Sequence, residues 1–390
     1  MKKRSFNWIL ALGFPALLTG MGILGAVLPS KGFSESENRY LQKKPEFTWQ
    51  ALMDGSFGEK YEAYLSDQFP GRNGWVGVKT LAEQLGGKAD SNGVYFGKDG
   101  YLIEKFETED LEGEQMDRNL LTLAKALGRM VQEYGDQHVR VMLVPGASQI
   151  LTDKLPLFAA PYRQELVVEK LLAEGDFQKI VVPVEAALGQ HKDEEIYYRT
   201  DHHWTSLGAY YGYAAWMESL GQAPWEADRF VVLTVSRDFY GTLQAKVQGW
   251  RRPDEIDLYQ PVEPVAYKTE YDATGVWSDG LYQYGALETK DQYSVFLDGN
   301  HGLTRIRNMA EPGSGNRQGK KLLMIKDSYA HSFVPFAANH FEETVMVDLR
   351  YFNMDVEAFA REEGVTDILV LYRIPGFAVE KTVSKLGRGK

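Results

Sequence analysis

Two short segments of the chain carry the residue types needed for covalent catalysis. The first is Tyr197–Thr205, YYRTDHHWT, in which Asp201 precedes the adjacent histidines His202 and His203. A carboxylate two residues from a histidine can accept the proton of one ring nitrogen, which leaves the other nitrogen free to act as a base. The structural alternative is that Asp201 or Thr205 caps a helix and the histidines form only local hydrogen bonds.

The second segment, Lys321–Ser332, joins an apolar strand to Asp327, Ser328 and a helix. In open α/β sheets, ligands bind at the carboxyl ends of strands, where Ser328 would lie. Its amide would stand at a helix N-terminus, which favours an oxyanion, although a plain N-cap by Asp327 or Ser328 explains the same residues. Together the segments supply a nucleophile, a base and a carboxylate. They predict a triad of Ser328, His203 and Asp201.

Composition narrows the chemistry further. The 390 residues include no cysteine, which excludes disulfides, thiolate metal sites and cysteine nucleophiles. Histidine and aspartate also bind zinc and iron, but no further ligand cluster stands near Asp201 in the sequence. We therefore expect no metal and no cofactor, with a metal site at Asp201–His203 as the weaker alternative. The formal charge of −11 argues against a nucleic-acid partner.

The elements that must position these residues follow an α/β pattern. Apolar runs alternate with helical stretches, which predicts a mostly parallel sheet flanked by helices. Strands are predicted at 138–144, 179–184, 322–325, 345–349 and 367–371. Residues 111–375 are accordingly predicted to form one catalytic domain, with an irregular insertion around 230–310 and a C-terminal tail at 376–390.

The N-terminal part of the chain has a different character. Three basic residues at positions 2–4 precede an apolar run from Trp8 to Leu28, which is 21 residues long and sufficient to cross a hydrocarbon core. Residues 1–30 are predicted to be an uncleaved signal-anchor, with a cleaved signal peptide as the alternative. The remainder of this single-pass membrane protein would lie outside the cytoplasm. Residues 31–110 are predicted to hold a linker, two helices and a hairpin at Asp99-Gly100.

The two catalytic segments also resemble a known family. Asp201-His202-His203-Trp204, the sequence IKDSYAHSFVPF around Ser328 and VDLRYF at 347–352 resemble the DHHW protein family. That family is similar to alginate O-acetyltransferase-like proteins with an SGNH-hydrolase-like domain. Further matching motifs are DQFPGRNGW at 67–75, NGVYFGKDGYL at 92–102, LVPGASQILTDKLP at 143–156 and DFYGTL at 238–243. The motifs extend over about residues 40–375 in the expected order.

The resemblance implies an SGNH-hydrolase-like fold and assigns the triad roles to Asp201, His203 and Ser328. It implies an O-acetyltransferase that acts outside the cytoplasmic membrane on a surface or exported polysaccharide, with a membrane acyl-transfer partner. A glycan acetyl esterase would use the same residues. A glycan-binding or assembly scaffold would keep the fold without turnover.

Four further residues are candidates for substrate or oxyanion contacts. His202 lies between the two triad residues of its segment, and His331 follows the serine by three positions, where we would expect asparagine in many relatives. Arg350 and Tyr351 follow a predicted strand end and could contact a polar substrate. The structural alternative for Arg350 is a salt bridge with Asp348.

Overall fold

The computed structural model describes residues 2–34, 39–249, 251–310 and 317–388 of the chain. These residues divide into two units. The first comprises Met1–Lys88 with Gln244–Trp250, and the second comprises Ala89–Leu243 with Arg251–Lys390. All the predicted catalytic and contact residues belong to the second unit.

The first unit is mainly helical. Its apolar N-terminal run forms a helix, α1 (Lys2–Val27), which contains Pro15. A two-stranded antiparallel ribbon and three further helices follow: β1 (Phe33–Ser34), β2 (Arg39–Tyr40), α2 (Trp49–Met53), α3 (Ser56–Asp67) and α4 (Arg72–Leu85). Among the described residues, no helix combines the length and the apolar character that are needed to cross a membrane.

The remaining helices alternate with the strands of the second unit, except that the helix at Thr242–Val247 belongs to the first unit from Gln244 onward. The strands are β3 (Asp90–Ser91), β4 (Val94–Phe96), β5 (Leu102–Glu104), β6 (Val139–Val144), β7 (Phe230–Phe239), β8 (Asp254–Pro261), β9 (Tyr267–Tyr271), β10 (Trp277–Asp279), β11 (Leu303–Asn308), β12 (Lys321–Lys326), β13 (Glu343–Val347) and β14 (Asp367–Arg373). The helices are α5 (Thr108–Leu111), α6 (Glu114–Tyr134), α7 (Ala147–Ile150), α8 (Glu165–Ala173), α9 (Val184–Gln190), α10 (Ser206–Ser219), α11 (Thr242–Val247), α12 (Ala330–Ala337), α13 (Val356–Glu363) and α14 (Ile374–Val379). A 3₁₀ turn follows at Lys381–Arg388, within the predicted tail.

A seven-stranded sheet in the order β10-β9-β11-β13-β12-β14-β6 forms the centre of this unit. The α/β class is confirmed, but the prediction of a mostly parallel sheet is wrong, because the sheet is mixed. Strands β13, β12, β14 and β6 pair in parallel, whereas β11, β9 and β10 pair antiparallel. Only residues 272–276 join β9 to β10, and this link is too short for the crossover that parallel pairing requires.

The strand predicted at 179–184 is the second difference. This segment makes only one bridge, between Val141 and Val181, beside β6. Pro183 has no N–H to donate to a ladder, and α9 begins directly after it. The segment therefore leads into helix α9 and does not form an additional strand of the sheet.

The alternation of side chains along the parallel strands explains why both faces of the sheet are covered. In β12, Leu322 and Met324 pack into one buried cluster, while Leu323 and Ile325 pack into another. Successive side chains of a strand point to opposite faces, so a continuously apolar strand fits a sheet that is buried on both sides. The polar residues after β12 are thereby left at its carboxyl edge.

Candidate active site

The loop after β12 presents Ser328 at the carboxyl edge of the parallel strands, where the sequence pattern predicted it. Asp327 fixes this loop, since its Oδ1 accepts the Tyr329 amide at 2.9 Å and its Oδ2 accepts the Arg373 amide at 2.8 Å. Helix α12 then begins at Ala330. Ser328 is partly exposed, and its N–H has no hydrogen-bond partner among the described residues. The loop therefore offers both a hydroxyl and an amide to a ligand.

The histidine loop is held against the serine loop by a buried tryptophan. Trp204 follows the two histidines, is fully buried, and donates its indole N–H to the Tyr329 carbonyl at 3.0 Å. A Cβ at Gly212 of α10 would lie 2.7 Å from the Trp204 ring, so only glycine leaves room for it. This packing joins segments that are 125 positions apart in the chain.

Asp201, His203 and Ser328 form one hydrogen-bonded chain. His203 Nδ1 lies 2.5 Å from Asp201 Oδ1, and His203 Nε2 lies 2.7 Å from Ser328 Oγ. The amide of His203 also donates to Asp201 Oδ1, at 3.0 Å. Both Asp201 and His203 are buried, at 4% and 5% exposure, whereas the serine is reachable. The order carboxylate, imidazole, hydroxyl is the arrangement that activates a serine nucleophile.

The second oxygen of Asp201 is held by the DFYGTL segment. Thr242 donates to Asp201 Oδ2 from its amide at 2.7 Å and from its hydroxyl at 2.9 Å. A Cβ at Gly241 would lie 2.2 Å from the Asp201 Cβ, so the backbone approaches as closely as glycine permits. Burial opposes ionisation, but His202, His203 and these hydrogen bonds hold the pKa of Asp201 well below its usual range. The carboxylate is therefore ionised at neutral pH.

His202 lies beside the chain but does not continue it. Its Nδ1 is 2.7 Å from the Thr242 hydroxyl, and its ring centroid is 3.9 Å from that of His203. Burial, aided by the charge of His203, lowers the pKa of His202 to about 3. His202 is thus a neutral side chain that packs on the base and contacts the same threonine as Asp201.

His331 is turned toward a buried charge cluster. Its Nε2 lies 2.8 Å from Lys326 Nζ, which in turn is 3.4 Å from Asp348 Oδ2. Burial and the neighbouring Lys326 lower the pKa of His331 well below its usual range, so the ring is neutral. Its Nδ1 is buried and has no partner among the described residues. The structure gives His331 no contact with the Ser328 hydroxyl.

Arg350 and Tyr351 lie apart from the three linked residues. Arg350 pairs with Asp348 through Nε at 2.9 Å and Nη2 at 2.6 Å, and with Asn300 at 2.8 Å. This is the salt bridge that the sequence offered as the alternative reading. Tyr351 is 54% exposed, and the Arg350 guanidinium carbon lies 5.5 Å from its ring. None of the contacts of these two residues within the described chain reaches the Ser328 hydroxyl or His203.

Three residues that contact Asp201 or His203 were not singled out from the sequence. Thr242 and Gly241 belong to a motif of the family pattern that the sequence also presents as an irregular turn at the rim of the site, and Tyr293 lies in the segment predicted as an irregular insertion. Tyr293 stacks on His203 with ring centroids 3.9 Å apart and an interplanar angle of 12°. No periodicity marks such residues, because they reach the site from two turns that are distant in the chain, one with Gly241-Thr242 and one with Tyr293.

Asp201, His202 and His203 also lie close enough together to be considered as metal ligands. Asp201, His202 and His203 each bring one ligand atom to within 4.8 Å of the others. In the described geometry, however, Asp201 Oδ1 and His203 Nδ1 are hydrogen-bonded to each other. Metal coordination by both atoms would break that bond, so the arrangement favours proton transfer over metal binding.

Comparison with known proteins finds a family model that matches the part of the chain that carries this geometry. Residues 178–347 match the family model described as DHHW protein. A solved DHHW family protein from Eubacterium siraeum is 25% identical, with a TM-score of 0.60 over 76% of this chain and 95% of that one. The resemblance to the DHHW protein family is thereby confirmed. The matched residues include the whole Asp201–Trp204 motif and Ser328.

Two other known proteins are similar to parts of this chain. The structure of Bacillus cereus PatB1 with a sulfonyl adduct is 18% identical and has a TM-score of 0.58 over 73% of this chain and 97% of that one. The probable alginate O-acetylase AlgJ of Pseudomonas putida is 24% identical over 213 residues, 53% of this chain. That alignment spans about half of AlgJ, 51% of its length. The first likeness concerns the fold, and the second relates the chain to a probable polysaccharide O-acetylase.

Proposed function

We propose that this protein is an O-acetyltransferase of a cell-surface or exported polysaccharide, working through a Ser328, His203 and Asp201 triad in an SGNH-hydrolase-like domain. The observation that carries the proposal is the unbroken hydrogen-bonded chain from Asp201 through His203 to the partly exposed Ser328. Among known relatives, the probable alginate O-acetylase AlgJ supports the choice of reaction and substrate class.

The first half-reaction would load the serine. His203 Nε2 takes the proton of the Ser328 hydroxyl, and the oxygen attacks the carbonyl carbon of an acetyl ester or thioester. The Ser328 amide supports the negative charge of the tetrahedral intermediate. As the intermediate collapses, the bond to the leaving alcohol or thiol breaks, and His203 returns the proton to that group. Asp201 stabilises the histidine while it carries the proton.

The second half-reaction would transfer the acetyl group from Ser328 to a sugar. A sugar hydroxyl gives its proton to His203 and attacks the acetyl-serine. The new ester forms as the bond to Ser328 Oγ breaks, and the serine recovers its proton from His203. Water in place of the sugar would give acetate, which is why a glycan acetyl esterase is the nearest alternative and a scaffold without turnover is the more distant one.

The location and partners of the protein form part of the proposal. The three basic residues at positions 2–4 and the apolar run from Trp8 to Leu28 support a single-pass anchor in the cell membrane. We place the catalytic unit outside the cytoplasm, where the polysaccharide and a membrane acyl-transfer partner would be available. Protease accessibility of the second unit in intact cells, compared with lysed cells, tests this orientation.

Transfer and hydrolysis can be separated by following the acetyl group. The protein is incubated with p-nitrophenyl acetate and an unacetylated polyuronate oligosaccharide, and acetylated sugar is measured by mass spectrometry while free acetate is measured enzymatically. A transferase produces acetylated oligosaccharide whose yield rises with acceptor concentration, at the expense of acetate. Rapid release of acetate from a pre-acetylated oligosaccharide, without any transfer, would favour the esterase. Absence of turnover in both assays would favour the scaffold.

A further inference from the structure

A tyrosine from the segment predicted as an insertion contacts both the proposed base and the loop that carries the proposed nucleophile. Tyr293 lies in a 3₁₀ turn, Gln292–Val295, and is 6% exposed. Its ring is stacked on His203, with ring centroids 3.9 Å apart and the two planes at 12°. Its hydroxyl lies 3.3 Å from the Ser328 carbonyl oxygen and 3.2 Å from Ser332 Oγ.

These polar contacts are mutually compatible. The Tyr293 O–H can donate to the Ser328 carbonyl while the Ser332 hydroxyl donates to the Tyr293 oxygen. Burial raises the pKa of Tyr293 above its usual range, which keeps this donor protonated at neutral pH. The Ser328 carbonyl also accepts the His331 amide at 3.2 Å, so it keeps a partner if the tyrosine hydroxyl is removed.

We infer that Tyr293 is a positioning residue, whose ring holds the His203 imidazole in line with both Asp201 and Ser328. The inference rests on the proposed function, because it concerns the base of that triad. A side chain held at Cα and Cβ alone can still swing about its χ angles, and a misplacement of about 1 Å can cost on the order of 100-fold in rate. A flat ring parallel to the imidazole restricts that movement on the stacked face. The hydroxyl adds a weaker link to the serine loop.

The roles of ring and hydroxyl predict different effects for two variants. Tyr293→Phe keeps the stacked ring and loses two hydrogen bonds, so kcat for p-nitrophenyl acetate should fall by less than about 10-fold. Tyr293→Leu removes the ring, so kcat should fall by roughly 30-fold to 100-fold while KM changes by less than about 2-fold. In proton NMR spectra, the far-downfield signal of the proton between His203 and Asp201 should persist in the Phe variant. It should shift or broaden in the Leu variant.

A second tyrosine of the same segment, which is partly buried, provides a control. Tyr282 donates its hydroxyl to the Tyr259 carbonyl at 2.7 Å and packs near Phe296. Tyr282→Leu should lower the melting temperature about as much as Tyr293→Leu does. It should leave kcat within about 3-fold of the native value. If Tyr293→Leu does not fold, Tyr293→Met, which is closer in length, takes its place.

The outcomes distinguish the positioning role of Tyr293 from the proposed function of the triad. If Ser328→Ala is inactive but Tyr293→Leu has the same kcat as Tyr282→Leu, the positioning role is wrong and the triad stands. If Ser328→Ala retains turnover, the proposed function itself fails. Loss of activity that is equal in Tyr293→Phe and Tyr293→Leu would also overturn the inference, because the ring would then contribute nothing.

Discussion

Replacement of Ser328 by alanine is expected to lower kcat/KM for p-nitrophenyl acetate by at least about 10³-fold, because it removes the only proposed acyl carrier. The neighbouring groups remain, since His203 still has its contact with Asp201 at 2.5 Å. The melting temperature should change little, because the serine is partly exposed and, within the described part of the chain, its hydroxyl bonds only to His203. Release of p-nitrophenol, corrected for the spontaneous rate, is the measurement.

A serine outside the site serves as the control for this variant. Ser219 lies at the end of α10, where its hydroxyl donates to the Trp216 carbonyl and accepts from Arg140. Ser219→Ala should keep kcat/KM within about 2-fold of the native protein. If Ser328→Ala keeps more than one third of the native rate, the variant has lost less than roughly 0.7 kcal/mol of transition-state stabilisation. Ser328 would then have no part in the mechanism.

The second large effect is expected for Asp201→Asn, which should reduce kcat by about 10³-fold to 10⁴-fold. The same change of the aspartate in a serine-protease triad reduces kcat by about this factor. The two carboxylate oxygens each accept a backbone N–H, from His203 at 3.0 Å and from Thr242 at 2.7 Å. Neither backbone donor can become an acceptor. An asparagine NH₂ group would therefore face an N–H in both orientations. With its oxygen toward His203, the NH₂ opposes the Thr242 amide. With its NH₂ toward His203, it opposes the His203 amide and the ring must change its tautomer to accept from it.

Another aspartate–histidine pair of the chain provides the matched control. Asp367 Oδ1 lies 2.9 Å from His138 Nδ1, beside Thr366 and far along the chain from the serine loop. Asp367→Asn should leave kcat unchanged within about 2-fold. If Asp201→Asn retains more than a tenth of the native kcat while remaining folded by circular dichroism, the carboxylate does not orient the base.

The parts of the site that were predictable from sequence are those fixed by local residue type and strand order. Ser328 follows a continuously apolar strand, and the carboxyl edge of such a strand is a common place for a ligand site. Asp201 and His203 are two positions apart, so their contact requires only a tight loop. What brings His203 to the serine is the packing of Trp204, which no pattern in the sequence foretells.

The residues that were not predictable depend on contacts between distant loops. Thr242 reaches Asp201 across 41 positions, and Tyr293 reaches Ser328 across 35. Both lie in or beside the segment that reads as irregular, because its short strands lack a helical or an alternating period. The same segment supplies β9, β10 and β11, whose antiparallel pairing made the sheet mixed. Long-range pairing of this kind is decided by tertiary packing instead of local propensity.

The central claim is that Ser328 becomes acetylated during turnover, and peptide mass spectrometry of the acid-quenched protein tests it most directly. After brief incubation with p-nitrophenyl acetate, the account predicts one added acetyl group on the peptide that contains Ser328, at higher occupancy in the native protein than in Asp201→Asn and absent in Ser328→Ala. Acetyl groups confined to lysines, or a transient acetyl group on another serine that is lost as product forms, would contradict it.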